Sequence, residues 1–510
     1  MRRVLYVLVV SISALTSAVR SQTPVSAKSE PQPVKAVADC ACESQVLPEA
    51  LALVNGVRIT ARDIEKAIGD SVRQLQRQVV EARKRELDLL INSRLLSVEA
   101  KKRGISTTKL LEQEVVAKVQ APLDTEIQTF YEQNKARIQG DFQDAREEIL
   151  RYLLDQRQRL EAKKFADTLR KASETKIYIA EFTPPRNEAE RAVLLATVNG
   201  EKITSGDVED LLKPIVFNVQ ESVYKLRKDE LDLSVNDTLL IQEAHKRQVT
   251  TNALLDAGVK PKAVTEEQAR AFFEQNKDRI SGDFAQTRDS IIGYLEQIEV
   301  RVAERAFVEK LRAAASIQTF LVVPESPVFS VSTVDQPSLG RAEAPVTLVI
   351  FMDYQCPSCA AIHSSLERLV KEYGDKVRLV TRDFPLPEHS EAFKAAEAAE
   401  AAREQGRYWE YAQLLMRNQS ALSVDNLKVY ASDLALNRPR FDSALDSGKF
   451  AEMVQRDIEE GIKLGINATP TVFINGRRVS AKSYDELKAN VEAAFKALPQ
   501  KEARTMPMPD

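Results

Sequence analysis

A long segment of the sequence occurs twice, and this internal repeat constrains the fold more than any other feature. Three blocks recur in the same order, offset by 144 residues for the first two and by 142 for the last. They are LALVNGVRITARDI (51–64) with LATVNGEKITSGDV (195–208), 85–111 with 229–255, and FYEQNKARIQGDF (130–142) with FFEQNKDRISGDF (272–284). Repeated blocks in a fixed order predict one structural module built twice. Copy 1 is residues 50–183 and copy 2 is residues 192–322.

Each copy carries the local signals of a short hairpin that leads into a helix. Asn-Gly dipeptides at 55–56 and 199–200 favour a tight turn between two short strands. Thr60 and Thr204 stand at N-cap positions, and an aspartate follows each of them three residues later, as in a capping box. The helix of copy 1 then buries one face through an apolar stripe formed by Leu87, Leu90, Ile91, Leu95 and Val98.

The rest of each copy is also predicted to be helical. The last helix of each copy, around 142–172 and 284–315, is rich in Arg, Glu and Gln, which is typical of a solvated outer face. The proline-containing stretch 322–345 then separates copy 2 from a region of different character. Within that stretch VFSVSTV (328–334) alternates like an edge strand of the next domain.

The C-terminal region, residues 328–498, alternates strands and helices. VTLVIFMD (346–353) reads as a buried strand, 356–374 as a helix, and 377–385 as a second strand. A helical block follows from about 389 to 464, then a hairpin at 471–480 around Asn475-Gly476, and a closing helix at 484–498. This order is that of a thioredoxin-type domain with a helical insertion. The chain is therefore predicted to be multidomain, with two mainly α-helical modules, one α/β domain and a short tail at 499–510.

Two of the four cysteines, Cys356 and Cys359, lie two residues apart where the first strand of this domain gives way to a helix. The helix dipole and the unpaired N–H groups of the first turn favour a thiolate at Cys356, and the thiolate is the species that attacks a disulfide. Cys359 lies close enough to resolve a mixed disulfide, and Pro357 suits the first helical turn. The alternatives are a zinc site, which needs about four ligands, and an inert clip, which would constrain little across one turn. We predict redox activity, with no metal and no cofactor.

Thr469-Pro470 precedes the apolar hairpin of the same domain. In thioredoxin-type domains a cis proline at this point faces the cysteine pair and leaves backbone groups free to bind an extended substrate. We therefore predict that Thr469 and Pro470 bind substrate.

The motifs FMDYQCPSC, RDFPLPEHSEAFKAAEAAEAAREQGRYWEYAQLLM and LGINATPTVFINGR resemble the DsbA/DsbG-like thioredoxin-fold thiol-disulfide oxidoreductases. The resemblance covers about 328–497. It implies Cys356 as the nucleophile, Cys359 as the resolving cysteine, Pro357 and Ser358 as the dipeptide that tunes the pair, and Thr469-Pro470 as the cis-proline loop. Many relatives carry a buried acidic proton acceptor six residues before the first cysteine, and here that position is Ile350. Asp353 is nearer to the pair, at a different position.

The two copies resemble the helical chaperone module of SurA-like periplasmic foldases in VNGxxIT, in a helix ending EAKKRG, and in FYEQNK. In those proteins a parvulin isomerase domain usually lies inside or after the module. The matched blocks here are nearly contiguous and leave no segment of that length. We therefore expect a chaperone-like module without prolyl isomerase activity.

The N-terminus predicts export. Two arginines precede an apolar run that is too short for a typical membrane span, so residues 1–22 read as a cleaved signal peptide, with an uncleaved anchor as the alternative. Residues 23–49 read as a flexible, proline-containing leader with Cys40 and Cys42. Those two cysteines are either a second exchange pair or have no role. The expected location is periplasmic or otherwise exported, where disulfides form, with no membrane span after signal removal.

The function expected from these features is thiol-disulfide oxidoreduction, as an oxidase or isomerase, on proteins that are folding. Expected partners are unfolded or partly folded exported proteins and a redox partner protein, and the two copies leave a homodimer open. Lys and Arg number 72 against 75 Asp and Glu, which gives no support for nucleic acid as a partner. The rival is a chaperone or scaffold whose thioredoxin-like domain only binds peptides.

His363, four residues after Cys359, is either a thiolate stabiliser or a helix-surface histidine, and His389 and Trp409 read as packing and capping residues.

Overall fold

The computed structural model describes residues 47–498 except for a few short gaps. The gaps are 136, 139–140, 180–182, 278–279 and 482. The predicted signal peptide (1–22), most of the predicted leader with Cys40 and Cys42, and the predicted tail (499–510) therefore lie outside the described residues.

The described chain is mostly helical and divides into two compact units. Unit 1 takes the residues up to Leu212 together with Val219–Pro324, and unit 2 takes Lys213–Asn218 with the residues from Glu325 onward. Apart from Lys213–Asn218, both copies of the repeat thus belong to unit 1, and the α/β region makes up the rest of unit 2. No helix among the described residues is long and apolar enough to cross a membrane.

Copy 1 and copy 2 contain the same strands and α-helices in the same order. Those of copy 1 are β1 (Ala52–Val54), β2 (Val57–Ile59), α1 (Ala61–Arg103), α2 (Thr107–Glu114), α3 (Asp124–Asn134), α4 (Phe142–Lys171) and β3 (Thr175–Ile177). After the short helix α5 (Glu188–Arg191), those of copy 2 are β4 (Leu194–Val198), β5 (Glu201–Thr204), α6 (Ser205–Arg247), α7 (Thr251–Gly258), α8 (Glu266–Gln275), α9 (Phe284–Ala313) and β6 (Ile317–Thr319). The first long helix of each copy has 43 residues.

The predicted hairpins and helix starts are confirmed. Asn55 and Asn199 have φ angles of 48° and 49°, in the left-handed region that a tight hairpin turn requires. The Asp63 carboxylate accepts hydrogen bonds from the amide and hydroxyl of Thr60, and the Thr204 pair repeats this arrangement in copy 2. These bonds satisfy groups that a helix start otherwise leaves exposed, so each hairpin turns directly into its long helix.

Each copy completes the sheet of the other. The strand order is β2-β1-β6 in one three-stranded sheet and β3-β4-β5 in the second. Strand β6, at the end of copy 2, therefore pairs with the hairpin of copy 1, with Ala52 opposite Thr319. Strand β3, at the end of copy 1, pairs with the hairpin of copy 2, with Ile177 opposite Ala196. The two copies are thus interlocked by reciprocal strand exchange.

Ion pairs between the copies follow the same symmetry. Arg83 of α1 pairs with Glu209 of α6, and its counterpart Arg227 pairs with Glu65 at 3.1 Å. The two arginine side chains are 3% and 8% exposed, so both charges are held at the contact between the long helices. Because a buried charge is costly without a partner, these pairs fix the register of one helix against the other.

Unit 2 contains a five-stranded sheet with the order β11-β10-β8-β9-β7. The strands are β7 (Ser338–Leu339), β8 (Val346–Met352), β9 (Val377–Asp383), β10 (Thr471–Ile474) and β11 (Arg477–Val479). The helices are α10 (Pro357–Tyr373), α11 (Ala392–Arg403), α12 (Tyr408–Arg417), α13 (Val424–Asp433), α14 (Arg438–Asp446), α15 (Ala451–Lys463) and α16 (Tyr484–Lys496). Helices α11 to α15 form the predicted helical insertion between β9 and β10.

The central strand β8 is buried on both faces, as its continuous apolar sequence predicts. Ile350 and Met352 face one apolar cluster together with α10 and α11, while Val349 and Phe351 face a second cluster on the opposite side. β8 runs parallel to β9 and antiparallel to β10. The carboxyl end of β8, from which the cysteine segment starts, therefore lies between these two neighbours.

The predicted edge strand at 328–334 is wrong. In this segment only Val328 makes a β-bridge, to Arg477, and the edge strand beside β9 is Ser338–Leu339. Alternation of apolar and polar residues did not locate the strand, because a partner strand must also lie alongside.

Candidate active site

The cysteine pair sits at the junction of β8 and α10. Cys356 is the N-cap residue of α10, Pro357 is the first helical residue, and Cys359 lies in the first turn. Both cysteines are buried and are free thiols, with Cys356 7% exposed and Cys359 0%. Cys356 is thus the more accessible residue of the two, and the first turn of the helix presents its N–H groups beside it.

The loop with Thr469 and Pro470 lies against Cys356. β10 pairs with β8 so that Thr471 is opposite Phe351, which brings the preceding loop to the end of β8. The Thr469–Pro470 peptide bond is cis, and the Thr469 carbonyl oxygen accepts a hydrogen bond from the Cys356 thiol at 3.4 Å. The structure thus brings together Cys356, Cys359 and the two loop residues that the sequence singled out.

Cys359 is held as a thiol by its surroundings. Burial raises its pKa to about 12, and the neighbouring Cys356 adds to this effect. The backbone N–H of Asp353 points at the Cys359 sulfur at 3.5 Å and acts in the opposite direction. The nearby hydroxyl of Thr469, whose oxygen makes no hydrogen bond among the described residues, also lowers this pKa. The Asp353 N–H faces the sulfur at which a thiolate forms when Cys359 reacts.

Asp353 and His389 form a pair in the site that their sequence positions alone did not predict. The Asp353 carboxylate accepts hydrogen bonds from the backbone N–H groups of Gln355 and Leu386, both at 2.7 Å, and from His389 Nδ1 at 2.8 Å. The available signal was positional: Asp353 follows β8, His389 follows β9, and these parallel strands end at the same edge of the sheet.

Ile350, at the position where an acid was expected by resemblance, is fully buried and lies opposite Thr381 on β9. Polar side chains nevertheless lie on the same side of the sheet as Ile350. The hydroxyl of Tyr408 lies 2.9 Å from that of Thr381 and 3.0 Å from that of Tyr354. Asp383, opposite Met352, is buried, and burial together with Glu400 and Asp457 raises its pKa well above the usual range.

The remaining candidate residues are placed as follows. His363 is buried in α10 beside Glu367, with 3.7 Å between Nδ1 and Oε1, so the interpretation as a helix-surface histidine is wrong. Burial lowers its pKa, and Glu367 opposes this. Trp409 packs against the main apolar cluster of unit 2. In the described part of the chain, no group of three or more His, Cys, Asp or Glu side chains could hold a metal ion.

The fold of unit 2 and the position of its cysteine pair define a thioredoxin-like domain. A family model described as Thioredoxin matches residues 332–493. This match covers the sheet, the cysteine pair and the cis-proline loop, and it supports the thiol-disulfide oxidoreductase kind at the level of the family.

Several known proteins are similar to part of the chain. The Na(+)/H(+) antiporter NhaA of Herminiimonas arsenicoxydans is 39% identical over 146 residues, which are 29% of this chain and 23% of that protein. Crystal structures of BdbD from Bacillus subtilis and of a thioredoxin-like oxidoreductase from Silicibacter pomeroyi align with 34% and 32% of this chain. They cover 100% and 95% of those chains, with 26% and 28% identity and TM-scores of 0.31 and 0.29. The chain spans about a quarter of the length of the curated relatives it matches.

Proposed function

We propose that this chain is an exported thiol-disulfide oxidoreductase that acts on cysteines of unfolded or partly folded proteins. The observation that carries the proposal is the contact between the Cys356 thiol and the carbonyl of the cis Thr469–Pro470 peptide, 3.4 Å away. A nucleophile at a helix start next to the backbone of a cis-proline loop lies where an extended client segment can bind and its sulfur can react.

The exchange takes place in two steps. The Cys356 thiolate attacks one sulfur of a client disulfide, so that a Cys356–client bond forms, the client S–S bond breaks, and the other client sulfur leaves as a thiolate. Cys359, as a thiolate, then attacks the Cys356 sulfur, which forms the Cys356–Cys359 disulfide and releases the second client thiolate. The client gains two electrons and the pair loses two. In the oxidase direction the same steps run in reverse, and a redox partner protein restores the pair.

Cys359 must lose its proton before it can attack. Its raised pKa, about 12, keeps it protonated while Cys356 reacts first, so the nucleophile and the resolving thiol are differentiated. The client thiolate released in the first step is a base that can take this proton. The Asp353 N–H and the Thr469 hydroxyl then stabilise the thiolate as it forms.

Unit 1 is proposed to hold the client. Exposed apolar side chains recur at equivalent positions of the two copies, with Tyr152 and Leu160 on α4 matched by Tyr294 and Val302 on α9. A folded chain that presents the same apolar positions twice offers two places for an unfolded segment to bind. A homodimer would double this number, and we retain it as part of the proposal.

The second candidate function is a chaperone or scaffold whose thioredoxin-like domain only binds peptides. Ile350 favours it, because an apolar, fully buried residue at that position offers no side chain that could accept a proton. The two candidates differ in whether Cys356 forms covalent bonds with clients.

Trapping of mixed disulfides tests the proposed function. Cys359→Ala in the full chain should accumulate adducts with exported proteins, visible as bands that disappear on reduction, because the resolving thiol is gone. Cys356→Ala/Cys359→Ala is the matched control and should form none through this site. If Cys359→Ala yields no adducts while the chain is exported with its signal removed, the peptide-binding candidate replaces the enzyme.

A further inference from the structure

Asp353 contacts both cysteines through its backbone. Its N–H points at the Cys359 sulfur at 3.5 Å, and its carbonyl accepts a hydrogen bond from the Cys356 N–H at 3.2 Å. The orientation of this one peptide segment therefore determines where a donor meets the resolving sulfur and how the first turn of α10 starts.

The side chain of Asp353 fixes that segment. The residue is 1% exposed, and its carboxylate accepts three hydrogen bonds, from the N–H of Gln355, the N–H of Leu386 and Nδ1 of His389. A carboxylate oxygen only accepts, so the His389 nitrogen that faces it carries the proton. The loop after β9 and the cysteine segment after β8 are thus joined at a single buried group.

A second contact joins the same two segments. The side-chain oxygen of Gln355 accepts a hydrogen bond from the Glu391 N–H at 2.7 Å, next to the start of α11. His389 itself is partly open, with 24% of its side chain exposed. The buried end of the network is therefore the carboxylate of the residue whose backbone contacts both cysteines, and its outer end is a partly exposed imidazole.

We propose that Asp353 and His389 are a positioning pair that sets the relative stability of the dithiol and disulfide forms of Cys356 and Cys359. The proposal rests on the proposed function. The negative carboxylate of the residue whose N–H faces the Cys359 sulfur opposes a thiolate there, because charges interact strongly where water is excluded. The hydrogen bond from His389 weakens that opposition. The two residues therefore act on the reduced state with opposite signs.

The experiment measures the dithiol-to-disulfide ratio of the full chain in glutathione buffers of known composition. Cys40→Ser and Cys42→Ser are included so that alkylation reports only Cys356 and Cys359. Asp353→Asn should favour the dithiol by about tenfold, a change of about 30 mV, because the charge is removed while the side chain keeps its size. His389→Ala should favour the disulfide, by up to about tenfold, because the carboxylate loses a donor. His389→Asn, whose amide can still donate, should stay within about twofold of the parent.

The double variant and a control complete the design. In the Asp353→Asn background, His389→Ala should have no further effect on the ratio, since the charge that His389 acts on is absent. His245→Ala changes an exposed histidine of unit 1 and should leave the ratio unchanged. If Asp353→Asn fails to fold, the comparison of His389→Ala with His389→Asn still decides the matter.

The results can overturn the positioning pair alone, or the proposed function together with the pair. Ratios within twofold of the parent for both single variants, or shifts in the same direction accompanied by lower melting temperatures, would make the network purely structural and overturn the pair. A parent chain that forms no reversible disulfide at Cys356 and Cys359 would overturn the proposed function, and the pair with it.

Discussion

The two units of this chain use buried charge in different ways. In unit 1, Arg83 and Arg227 meet glutamates of the opposite copy, and the repeated ion pairs hold two long helices together. In unit 2, Arg382 pairs with Asp457 and Glu460. Asp383 and Glu400 are buried in the same unit, near two buried tyrosines, Tyr354 and Tyr408. Among the described residues both free cysteines also lie in unit 2. Buried ion pairs therefore hold two long helices together in unit 1, whereas in unit 2 buried charged side chains share one domain with the cysteine pair.

The first prediction tests whether disulfide reduction by this chain depends on unit 2 alone. Cys356→Ser should lower insulin reduction by the full chain at least about 100-fold, because a serine hydroxyl does not replace a thiolate as a nucleophile toward disulfides. Far-UV circular dichroism, dominated by the long helices of unit 1, should not change. Residual activity above a tenth of the parent would show a second reactive site, for which Cys40→Ser/Cys42→Ser is the direct control.

The second prediction concerns the strand exchange inside unit 1. In a chain without its native cysteines, Ala52→Cys/Thr319→Cys and Ala196→Cys/Ile177→Cys should each form a disulfide almost completely, because these residues are direct cross-strand partners. The measurement is the electrophoretic shift under oxidising conditions.

The control for the exchange is a pair of cysteines within one copy. Ala52→Cys/Ile177→Cys would join β1 to β3, which an arrangement without exchange would bring together. Efficient bonding of this pair, with none in the first two, would mean that each copy closes on itself and that the interlocked architecture is incorrect.

The third prediction compares the two ion pairs between the copies. Glu209→Ala should destabilise unit 1 by about 3 kcal/mol, since it removes the carboxylate that faces a deeply buried arginine. Glu65→Ala should cost about 1 kcal/mol, because Glu65 is 34% exposed and water can replace part of its contact. Urea unfolding followed by circular dichroism measures both values. Equal losses at the two sites would show that burial does not distinguish the copies.

Much of the secondary structure could be predicted because its signals are local. The Asn-Gly turns, the capping boxes at Thr60 and Thr204, and the strand–cysteine–helix order each depend on a few adjacent residues. The cis Thr469–Pro470 loop could be placed beside Cys356 because both flank strands that pair. Local signals therefore predicted the elements and the core of the site.

What could not be predicted depends on distant segments meeting. Strand β6 is three residues long and pairs with β1, which lies near the other end of unit 1 in the sequence. So short a strand has no sequence pattern that predicts its partner. Asp353 and His389 are each ordinary in sequence, and their bond exists only because two loops converge. The burial of His363 likewise depends on which face of α10 packs inward.

The prediction with the smallest expected effect concerns Asp383, a buried acidic residue of unit 2. Asp383 is 3% exposed, and its Oδ1 accepts no hydrogen bond among the described residues. Burial raises its pKa well above the usual 3.8, so the stability it contributes is fully present below pH 3.8 and is lost as the pH rises through the folded-state pKa. Asp383→Asn should therefore stabilise the reduced protein at neutral pH by about 1 kcal/mol, or about 2–4 °C in melting temperature.

Trp409, the only tryptophan of the chain, lies in unit 2, so its fluorescence follows the melting of this unit. The melting temperatures of Asp383→Asn and the parent should converge as the pH falls below 3.8, because the parent carboxyl is then neutral in both folded and unfolded states. Asp457→Asn is the matched control with the opposite sign: it weakens the bond to Arg382 at 2.9 Å and should lower the melting temperature at neutral pH. A lower melting temperature for Asp383→Asn at neutral pH would mean that Asp383 is paired as an anion, and that buried charge serves architecture in unit 2 as it does in unit 1.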